Sequence, residues 1–319
     1  MFVDPERSYD LIGDVHGCAH TLTRLLEQLG YRHHGDVWRH PRRQVIFLGD
    51  IIDRGPRIRE ALHLVHAMVE AGQAHCIMGN HEFNALGWYT PAPPESGKTF
   101  VRDHTPRYAM LLQHTFEQFE QYSEEWSAFR EWFMTLPLYL ESERFRVVHA
   151  CWDNAVISQL RLRLSQGRVD LDFLRDAAFS QGFAAKALDR LLRGTDMPLP
   201  EGLTLTSAEG FTRSFFRTKF WEENPQTYGD IVFQPDGLPE KAARIPLSES
   251  QKNQLLLYGP DDPLLFVGHY WRSGTPAPIR PNLACLDYSA VKYGKLVAYR
   301  LDEETRLDPA KFVWVDVER

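Results

Sequence analysis

Three short segments decide how this chain folds: Gly13-Asp14-Val15-His16-Gly17, Gly49-Asp50-Ile51-Ile52-Asp53-Arg54-Gly55-Pro56 and Gly79-Asn80-His81-Glu82. Each segment follows an apolar run with the composition of a buried strand, and each is rich in carboxylate, amide or imidazole groups. These are the groups that bind divalent metal ions such as manganese. The order and spacing of the segments therefore predict metal ligands at the ends of parallel strands.

The residues around these segments alternate between strand and helix patterns. Apolar runs occupy residues 9–12, 44–48 and 74–78, and each ends where one of the three segments begins. Between the runs, apolar residues recur at helical spacing over 21–29 and 58–69. This alternation predicts a parallel sheet with short loops at the carboxyl ends of its strands, where ligands gather in such folds.

The later part of the chain supplies two more strand ends that carry a histidine. Strand-like residues 145–148 lead into His149, and residues 264–267 lead into Gly268-His269. Helices are also predicted over 107–119 and 124–133, and further strands over 138–140, 283–286 and 296–301.

Residues from about 153 to 263 have a different character and predict an inserted cap. The segment is helix-rich up to residue 192 and then irregular, with many prolines and glycines. Five of its aromatic residues either line a pocket for a nucleobase or a peptide side chain, or form the small core of the cap. These five are Phe215, Phe216, Phe220, Trp221 and Tyr228.

Composition limits the expected partners. The chain has 319 residues, of which 43% are hydrophobic and 25% charged, with a formal net charge of -7. An acidic chain gains no general attraction to nucleic acid, so no extended nucleic-acid partner is expected. No leader sequence and no apolar run near the ~20 residues that span a bilayer is visible, so we expect a cytoplasmic protein without a membrane partner. The four scattered cysteines predict buried free thiols.

The strand ends carry the candidate metal ligands Asp14, His16, Asp50, Asn80, His149 and His269. Taken singly, an aspartate or asparagine after a strand caps a helix more often than it binds a metal. A single histidine there is more often a hydrogen-bonded core residue. Capping does not predict a ligand type at five separate strand ends. We therefore predict a centre for two divalent ions, with Asp50 placed to bridge them.

Such a centre suits hydrolysis of a phosphate ester. Two ions roughly 3.5–4 Å apart can hold a shared water molecule and lower its pKa towards neutrality. The leaving group then needs a proton, and His81, oriented by Asp53, is the candidate general acid. Arg54 presents a fork of N–H groups suited to phosphate oxygens, and its alternative role is a surface ion pair. The predicted catalytic residues are therefore His81, Asp53 and Arg54.

In this order, the three segments resemble the phosphoprotein phosphatase branch of the calcineurin-like metallophosphoesterase superfamily, of the bacterial type related to symmetrical diadenosine tetraphosphatases. The resemblance covers roughly residues 8–90, and His149 and Gly268-His269 are similar to the later metal histidines of that family. It implies an α/β fold, a metallophosphoesterase β-sandwich flanked by helices (α/β/β/α), here with the helix-rich inserted cap.

The resemblance also implies two divalent metal ions, with manganese as the expected metal and iron or zinc as alternatives. It assigns the first ion to Asp14, His16 and Asp50, and the second to Asp50, Asn80, His149 and His269. It further implies that Asp53 and His81 act together as the acid and that Arg54 clamps phosphate.

The substrate is less specifically indicated. Gly210-Phe211-Thr212-Arg213 and Ala284-Cys285-Leu286-Asp287 are similar to segments of the tetraphosphatases, whereas Asp53 beside Arg54 is similar to the protein phosphatases. Arg213 and Arg217 are candidate second phosphate contacts, or alternatively surface charges of the cap.

Three functional hypotheses follow. The first is a phosphatase that acts on phosphomonoesters, either a phosphoprotein or a small phosphorylated molecule. The alternative is a dinucleoside polyphosphate hydrolase that cleaves diadenosine tetraphosphate. The third is a non-catalytic scaffold with a relic site, which the complete set of ligand types disfavours.

Overall fold

The computed structural model describes residues 3–4, 6–206, 210, 212–233 and 238–318. The chain divides into two compact units, of which the first contains the residues up to Leu192 and those from Pro263 onwards. The second unit is Arg193–Asp262. Phe211, part of a segment used above to compare substrates, lies outside the described residues.

In chain order, the strands are β1 (Ser8–Ile12), β2 (Arg32–His34), β3 (Val37–Arg39), β4 (Arg43–Phe47), β5 (Ala74–Cys76), β6 (Tyr139–Glu141), β7 (Phe145–Val148), β8 (Thr195–Pro198), β9 (Leu205–Thr206), β10 (Thr212–Arg213), β11 (Phe215–Thr218), β12 (Leu264–Val267), β13 (Leu283–Cys285), β14 (Asp287–Tyr288), β15 (Lys295–Leu301) and β16 (Phe312–Asp316). The helices are α1 (Ala19–Gln28), α2 (Ile58–Glu70), α3 (Asn80–Tyr89), α4 (Pro106–Phe119), α5 (Ser123–Phe133), α6 (Asn154–Arg163), α7 (Leu171–Asp176), α8 (Phe183–Arg193), α9 (Tyr228–Ile231), α10 (Glu240–Ala243) and α11 (Glu249–Gln254).

The first unit contains two large sheets. One has the strand order β14-β15-β1-β4-β5, with β16 paired to β15. Its β1, β4 and β5 run parallel, as the alternating pattern predicted, whereas β15 lies antiparallel to β1. The other sheet has the order β13-β12-β7-β6, and β12 runs parallel to both β7 and β13.

The two sheets share one apolar core. Leu11 and Ile46 of the first sheet belong to the same buried cluster as Phe145 and Phe266 of the second. Alternate residues of a strand point to opposite faces, so such a cluster forms where two sheets pack face to face. Helices α1 and α2 pack against strands of the first sheet. The predicted sandwich flanked by helices is confirmed.

The second unit begins later than the cap predicted from the sequence, at Arg193 instead of near residue 153. The helices between these points belong to the first unit, where they contact its second sheet and the loops beside it. Ala150 N–H donates to the Leu191 carbonyl at 2.8 Å, and Leu138 N–H donates to the Gly167 carbonyl at 2.8 Å. The helix-rich part is therefore part of the larger unit, and the smaller unit is built from short strands and short helices.

The second unit has a small core of its own. Strands β8 and β11 pair antiparallel, and Phe216, Tyr228 and Ile231 are buried together in one cluster. Phe215 points away from it and is 47% exposed. For Phe216 and Tyr228, core packing is therefore the observed role. Among the described residues, every helix is too short or too polar to serve as a transmembrane span.

Candidate metal centre

All six candidate ligands lie just beyond the carboxyl end of a strand in the first unit. Both sheets contribute, which the sequence alone could not specify. Asp14 and His16 follow β1, Asp50 follows β4, Asn80 follows β5, His149 follows β7 and His269 follows β12. Parallel strands end at the same edge of a sheet, so the two packed sheets bring these loops together.

Asp50 lies at the centre of two groups of donor atoms. His16, Asp50 and His81 form one group, and Asp50, His149 and His269 form the other. Within each group the ligand atoms lie within 4.8 Å of one another. Asp50 is the residue common to both groups, which is the position predicted for a carboxylate that bridges two ions.

Backbone carbonyls orient two of the histidines. His16 donates from Nδ1 to the Ile52 carbonyl at 2.8 Å, and His149 donates from Nδ1 to the Leu48 carbonyl at 2.6 Å. A carbonyl only accepts, so Nδ1 carries the proton and Nε2 is left for a metal. The two Nε2 atoms lie 3.6 and 3.3 Å from Asp50 Oδ2.

Asp14 and Asn80 complete the surroundings of Asp50. Asn80 Oδ1 lies 3.1 Å from His149 Nε2, and Asp14 Oδ2 accepts from His269 N–H at 3.3 Å. The other carboxylate oxygen, Asp14 Oδ1, is buried and has no hydrogen-bond partner in the described part of the chain. A Cβ at Gly268 would lie 2.2 Å from this oxygen, so only glycine fits there. A buried carboxylate oxygen without a donor fits a site for a cation.

The charges around Asp50 also fit a cation. Burial, together with Asp287, raises the pKa of Asp14 well above its usual range. Burial lowers the pKa of His149, but Asp50 outweighs it and raises the value to about 10. His16 differs, because burial and His81 lower its pKa to about 3 and keep the imidazole neutral. The carboxylates thus require nearby positive charge, and the donor set fits divalent ions.

The loops of the centre have an unusual backbone. Left-handed φ angles occur at His16 (42°), Asp50 (53°), Asp53 (68°), Arg54 (66°) and His269 (59°). Each such residue other than glycine costs about 1–3 kcal/mol and persists only where its surroundings hold it. The concentration of strained residues at one place is typical of a functional site.

Glu82 supplies part of that restraint, although no separate role was predicted for it from the sequence. Its carboxylate is fully buried and accepts from Asp50 N–H at 2.8 Å, Ile51 N–H at 2.8 Å and Gly79 N–H at 2.9 Å. Burial and Asp50 raise its pKa to about 7. A glutamate three residues after a helix cap is a capping-box spacing, so this signal was present in the sequence.

The two side chains predicted to act together as the general acid are in contact. His81 Nδ1 lies 2.6 Å from Asp53 Oδ2, and both side chains are buried. His81 N–H donates to Asp50 Oδ1 at 3.0 Å, which places the pair beside the candidate ligands. Burial raises the pKa of Asp53 to about 8, although a hydrogen bond from Thr115 opposes this shift. The next residue, Arg54, is exposed.

Arg213 and Arg217 belong to the second unit. Arg213 lies in β10 and Arg217 in β11. Both remain candidate substrate-binding residues. Thr115, which contacts Asp53 from α4, was not anticipated from the sequence because no motif surrounds it.

A family model described as calcineurin-like phosphoesterase matches residues 9–270. The chain belongs to this family. The match begins in β1 and ends just after His269, so it includes every candidate metal ligand of the calcineurin-like phosphoesterase centre described above. Dinuclear metal binding is the expected chemistry of such a centre.

Named relatives match a smaller part of this phosphoesterase. A bis(5'-nucleosyl)-tetraphosphatase PrpE, designated asymmetrical, from Oceanobacillus iheyensis is 34% identical over 142 residues, which is 44% of this chain and 54% of the relative. A protein of the same name from Bacillus subtilis is 39% identical over 75 residues, 23% of this chain and 31% of the relative. The chain thus spans about half the length of these relatives or less. They are named asymmetrical, whereas the sequence pointed to the symmetrical group.

One solved structure is similar in fold to this protein over nearly its whole length. A protein serine/threonine phosphatase from Saccharomyces cerevisiae, with similarity to human phosphatase PP5, has a TM-score of 0.52 and 13% sequence identity. The alignment covers 99% of this chain and 81% of that chain. At this identity the comparison shows the shared fold alone.

Proposed function

We propose that this protein is a hydrolase of phosphate esters that depends on two divalent metal ions. The observation that carries the proposal is the position of Asp50, which is common to two groups of ligand atoms and contacts the buried His81–Asp53 pair. Metal-binding donors and a proton donor side by side are what hydrolysis of a phosphate ester requires.

The proposed ligands are those expected from the sequence. Asp14, His16 and Asp50 would hold the first ion, and Asp50, Asn80, His149 and His269 the second. When bound, the ions would offset charge on the phosphoryl oxygens and activate a water molecule. Manganese is the proposed metal, with iron and zinc as alternatives.

Three side chains would protonate the leaving group and bind the phosphoryl oxygens. As the water oxygen forms its bond to phosphorus, the bond from phosphorus to the leaving oxygen breaks, and His81 gives that oxygen a proton from Nε2. Asp53 holds the other ring nitrogen of His81 at 2.6 Å and stabilises the protonated ring. Arg54 would bind the phosphoryl oxygens with its exposed guanidinium.

Phosphomonoesters are the first proposed substrate class, either on a protein or on a small molecule. The intact His81–Asp53 pair supports this choice, because the strongly basic oxygen that leaves from a phosphomonoester needs a proton. The partner would accordingly be a phosphorylated substrate rather than a nucleic acid or a membrane.

Bis(5'-nucleosyl) tetraphosphates are the second proposed substrate class. The relatives named for that activity support it, since one is 34% identical over 142 residues. In this case Arg213 and Arg217 would contact additional phosphates of the substrate.

Parallel assays separate the two classes. The purified protein with manganese is offered p-nitrophenyl phosphate, serine and tyrosine phosphopeptides, and diadenosine tetraphosphate. We expect turnover of the monoesters. Selective turnover of the dinucleotide would replace the first class by the second, and turnover of none of them would favour the scaffold hypothesis.

The role of the second unit is tested in the same assays. If the cap binds additional phosphates, Arg213→Ala and Arg217→Ala raise the KM for diadenosine tetraphosphate and leave the KM for p-nitrophenyl phosphate unchanged. Arg244→Ala is the matched control, because Arg244 is 78% exposed in the same unit. Unchanged kinetics in both arginine variants would remove these residues from the proposal.

A further inference from the structure

Helix α4 contacts the loop that carries the acid pair through three polar side chains of one face. His114, Thr115 and Gln118 all reach the segment that connects β4 to α2. Residues three and four apart lie on the same side of a helix, so this face is directed at the loop as a whole. No motif in α4 predicts such a role.

Thr115 binds Asp53 in two ways. The Thr115 hydroxyl donates to Asp53 Oδ1. The Thr115 hydroxyl oxygen, Oγ1, also accepts from Asp53 N–H at 3.1 Å. Thr115 is fully buried, as is Asp53. One hydroxyl group therefore fixes the carboxylate relative to its own backbone, and the other carboxylate oxygen, Oδ2, is left facing His81 Nδ1 at 2.6 Å.

The neighbouring contacts hold the rest of the loop. Gln118 Oε1 accepts from Ile58 N–H at 2.6 Å, and Gln118 Nε2 donates to the Gly55 carbonyl at 3.1 Å. The cap residue of α2, Arg57, makes no capping hydrogen bond with its own side chain, so Gln118 performs this capping from another helix. His114 Nδ1 donates to the Arg54 carbonyl at 3.0 Å.

The loop needs such restraint because of its backbone. Asp53 and Arg54 are consecutive and have φ angles of 68° and 66°, a conformation that side chains other than glycine rarely adopt. Thr115 and His114 contact these two residues directly. The contacts from α4 therefore act where the loop is least stable by itself.

We propose that Thr115 is a positioning residue for leaving-group protonation. By holding Asp53 Oδ1, it aims Asp53 Oδ2 at His81 Nδ1 and so fixes the ring that faces the leaving oxygen. This inference rests on the proposed function for its kinetic consequence, whereas the geometry of the Thr115–Asp53–His81 chain can be tested without turnover.

The kinetic test compares two leaving groups in Thr115→Val, which has nearly the shape of threonine but lacks the hydroxyl. The p-nitrophenolate group leaves with little need for a proton, whereas the more basic phenolate of phenyl phosphate needs one. We expect kcat for phenyl phosphate to fall at least about tenfold, which is part of the ~10²–10⁴-fold that general acid catalysis supplies. We expect kcat for p-nitrophenyl phosphate to change less than about threefold.

Two further variants make the result specific. Thr115→Ser keeps the hydroxyl and should restore the rate on phenyl phosphate. Thr135→Val removes the hydroxyl of an exposed threonine just after α5 and should change neither rate. An equal loss on both esters in Thr115→Val, no loss on either, or failure of serine to restore the rate would overturn the proposal. Thr115→Ala takes the place of the valine variant if the latter does not fold.

A measurement without substrate separates this inference from the proposed function. In proton NMR spectra, the wild-type protein should show a strongly downfield signal from the His81 Nδ1–H that is bound to Asp53, assigned by its loss in His81→Asn. We expect this signal to be lost or to move upfield in Thr115→Val and to return in Thr115→Ser. An unchanged signal in the valine variant would overturn the positioning role, even if the protein hydrolyses none of the esters.

Discussion

Asp50 combines two tasks within one side chain. Its Oδ2 faces the Nε2 atoms of His16, His81 and His149 at 3.6, 3.9 and 3.3 Å, and its Oδ1 accepts from His81 N–H at 3.0 Å. Burial opposes ionisation of Asp50, but His149 and His81 outweigh it, so its pKa lies well below the usual range. The carboxylate is therefore ionised and available to cations.

Asp50→Asn should remove the bridging charge while keeping the shape of the side chain. We expect manganese affinity and turnover to fall by more than about 100-fold, the upper range for residues that merely orient a metal ligand. Titration calorimetry with manganese and assays on p-nitrophenyl phosphate measure the two losses. Asp36→Asn, at an exposed site, is the control. Undiminished turnover in a folded Asp50→Asn protein would contradict the proposed role.

Glu82→Gln should weaken the centre without removing a ligand. The carboxylate of Glu82 accepts from four backbone N–H groups, the fourth being Ile52 N–H at 3.4 Å. The amide nitrogen of a glutamine would face N–H groups instead of acceptors, so at least one buried hydrogen bond is lost. We expect about 1–3 kcal/mol less stability and about 10–100-fold weaker manganese binding. Urea denaturation and metal titration test this, with the exposed Glu70→Gln as the comparison. Equal metal affinity in the two variants would argue against a positioning role for Glu82.

Individual residues of the centre were predictable to different degrees. Asp14, Asp50 and Asn80 lie where short, ordered sequence segments placed them, because a strand end and its loop are local features. Thr115 was not predictable, since its contact with Asp53 joins residues 62 positions apart and threonine is common on helices. Glu82 lay within a recognised segment, but its four backbone partners depend on the folded loop.

At the level of strands and helices, β1 also contains a buried carboxylate, Asp10, that lies outside the candidate metal centre. Asp10 is fully buried in β1 and accepts from Arg43 Nε of β4 at 3.0 Å, Arg300 Nε of β15 at 3.1 Å and Tyr31 Oη at 3.0 Å. The two arginines thus connect one carboxylate to both neighbouring strands. Such a buried network stabilises the central strand only while every member is present.

Asp10→Asn should therefore destabilise the first unit by about 3–5 kcal/mol, because it leaves two arginines without their buried partner. Urea denaturation measures the loss, and turnover per folded molecule should stay unchanged. Asp302 also pairs with Arg43, but its side chain is 42% exposed. Asp302→Asn should therefore lower the free energy of unfolding by only about 1 kcal/mol or less. Equal losses in the two variants would contradict this account.

The elements that the sequence predicted correctly are those with a strong apolar pattern. Residues 264–267 form β12 as predicted, and the helices predicted over 107–119 and 124–133 correspond to α4 and α5. The β2–β3 hairpin was missed because β2 is exposed along its length and has no buried face to produce a pattern. The antiparallel pairing of β15 with β1 was also not predictable, since it joins distant parts of the chain.

For the whole molecule, the division into two units has a thermodynamic consequence. All six candidate ligands lie in the first unit, and none lies in Arg193–Asp262. Each bound manganese ion should therefore stabilise the first unit by about 2.7 kcal/mol at a free concentration 100 times its Kd. In calorimetric scans, manganese should raise the unfolding temperature of this unit in the wild-type protein but not in Asp50→Asn. An unfolding temperature that does not change with manganese in the wild-type protein would contradict the metal assignment.

The order of the ligands along the chain also bears on biosynthesis. The first ligand follows β1 and the last follows β12, which pairs with β7 and β13 across a long separation in sequence. A nascent polypeptide still attached to the ribosome before residue 269 emerges lacks part of the donor set. If the proposed ions bind these residues, the full donor set becomes available only after residue 269 has been synthesised, and fragments released prematurely would lack part of it.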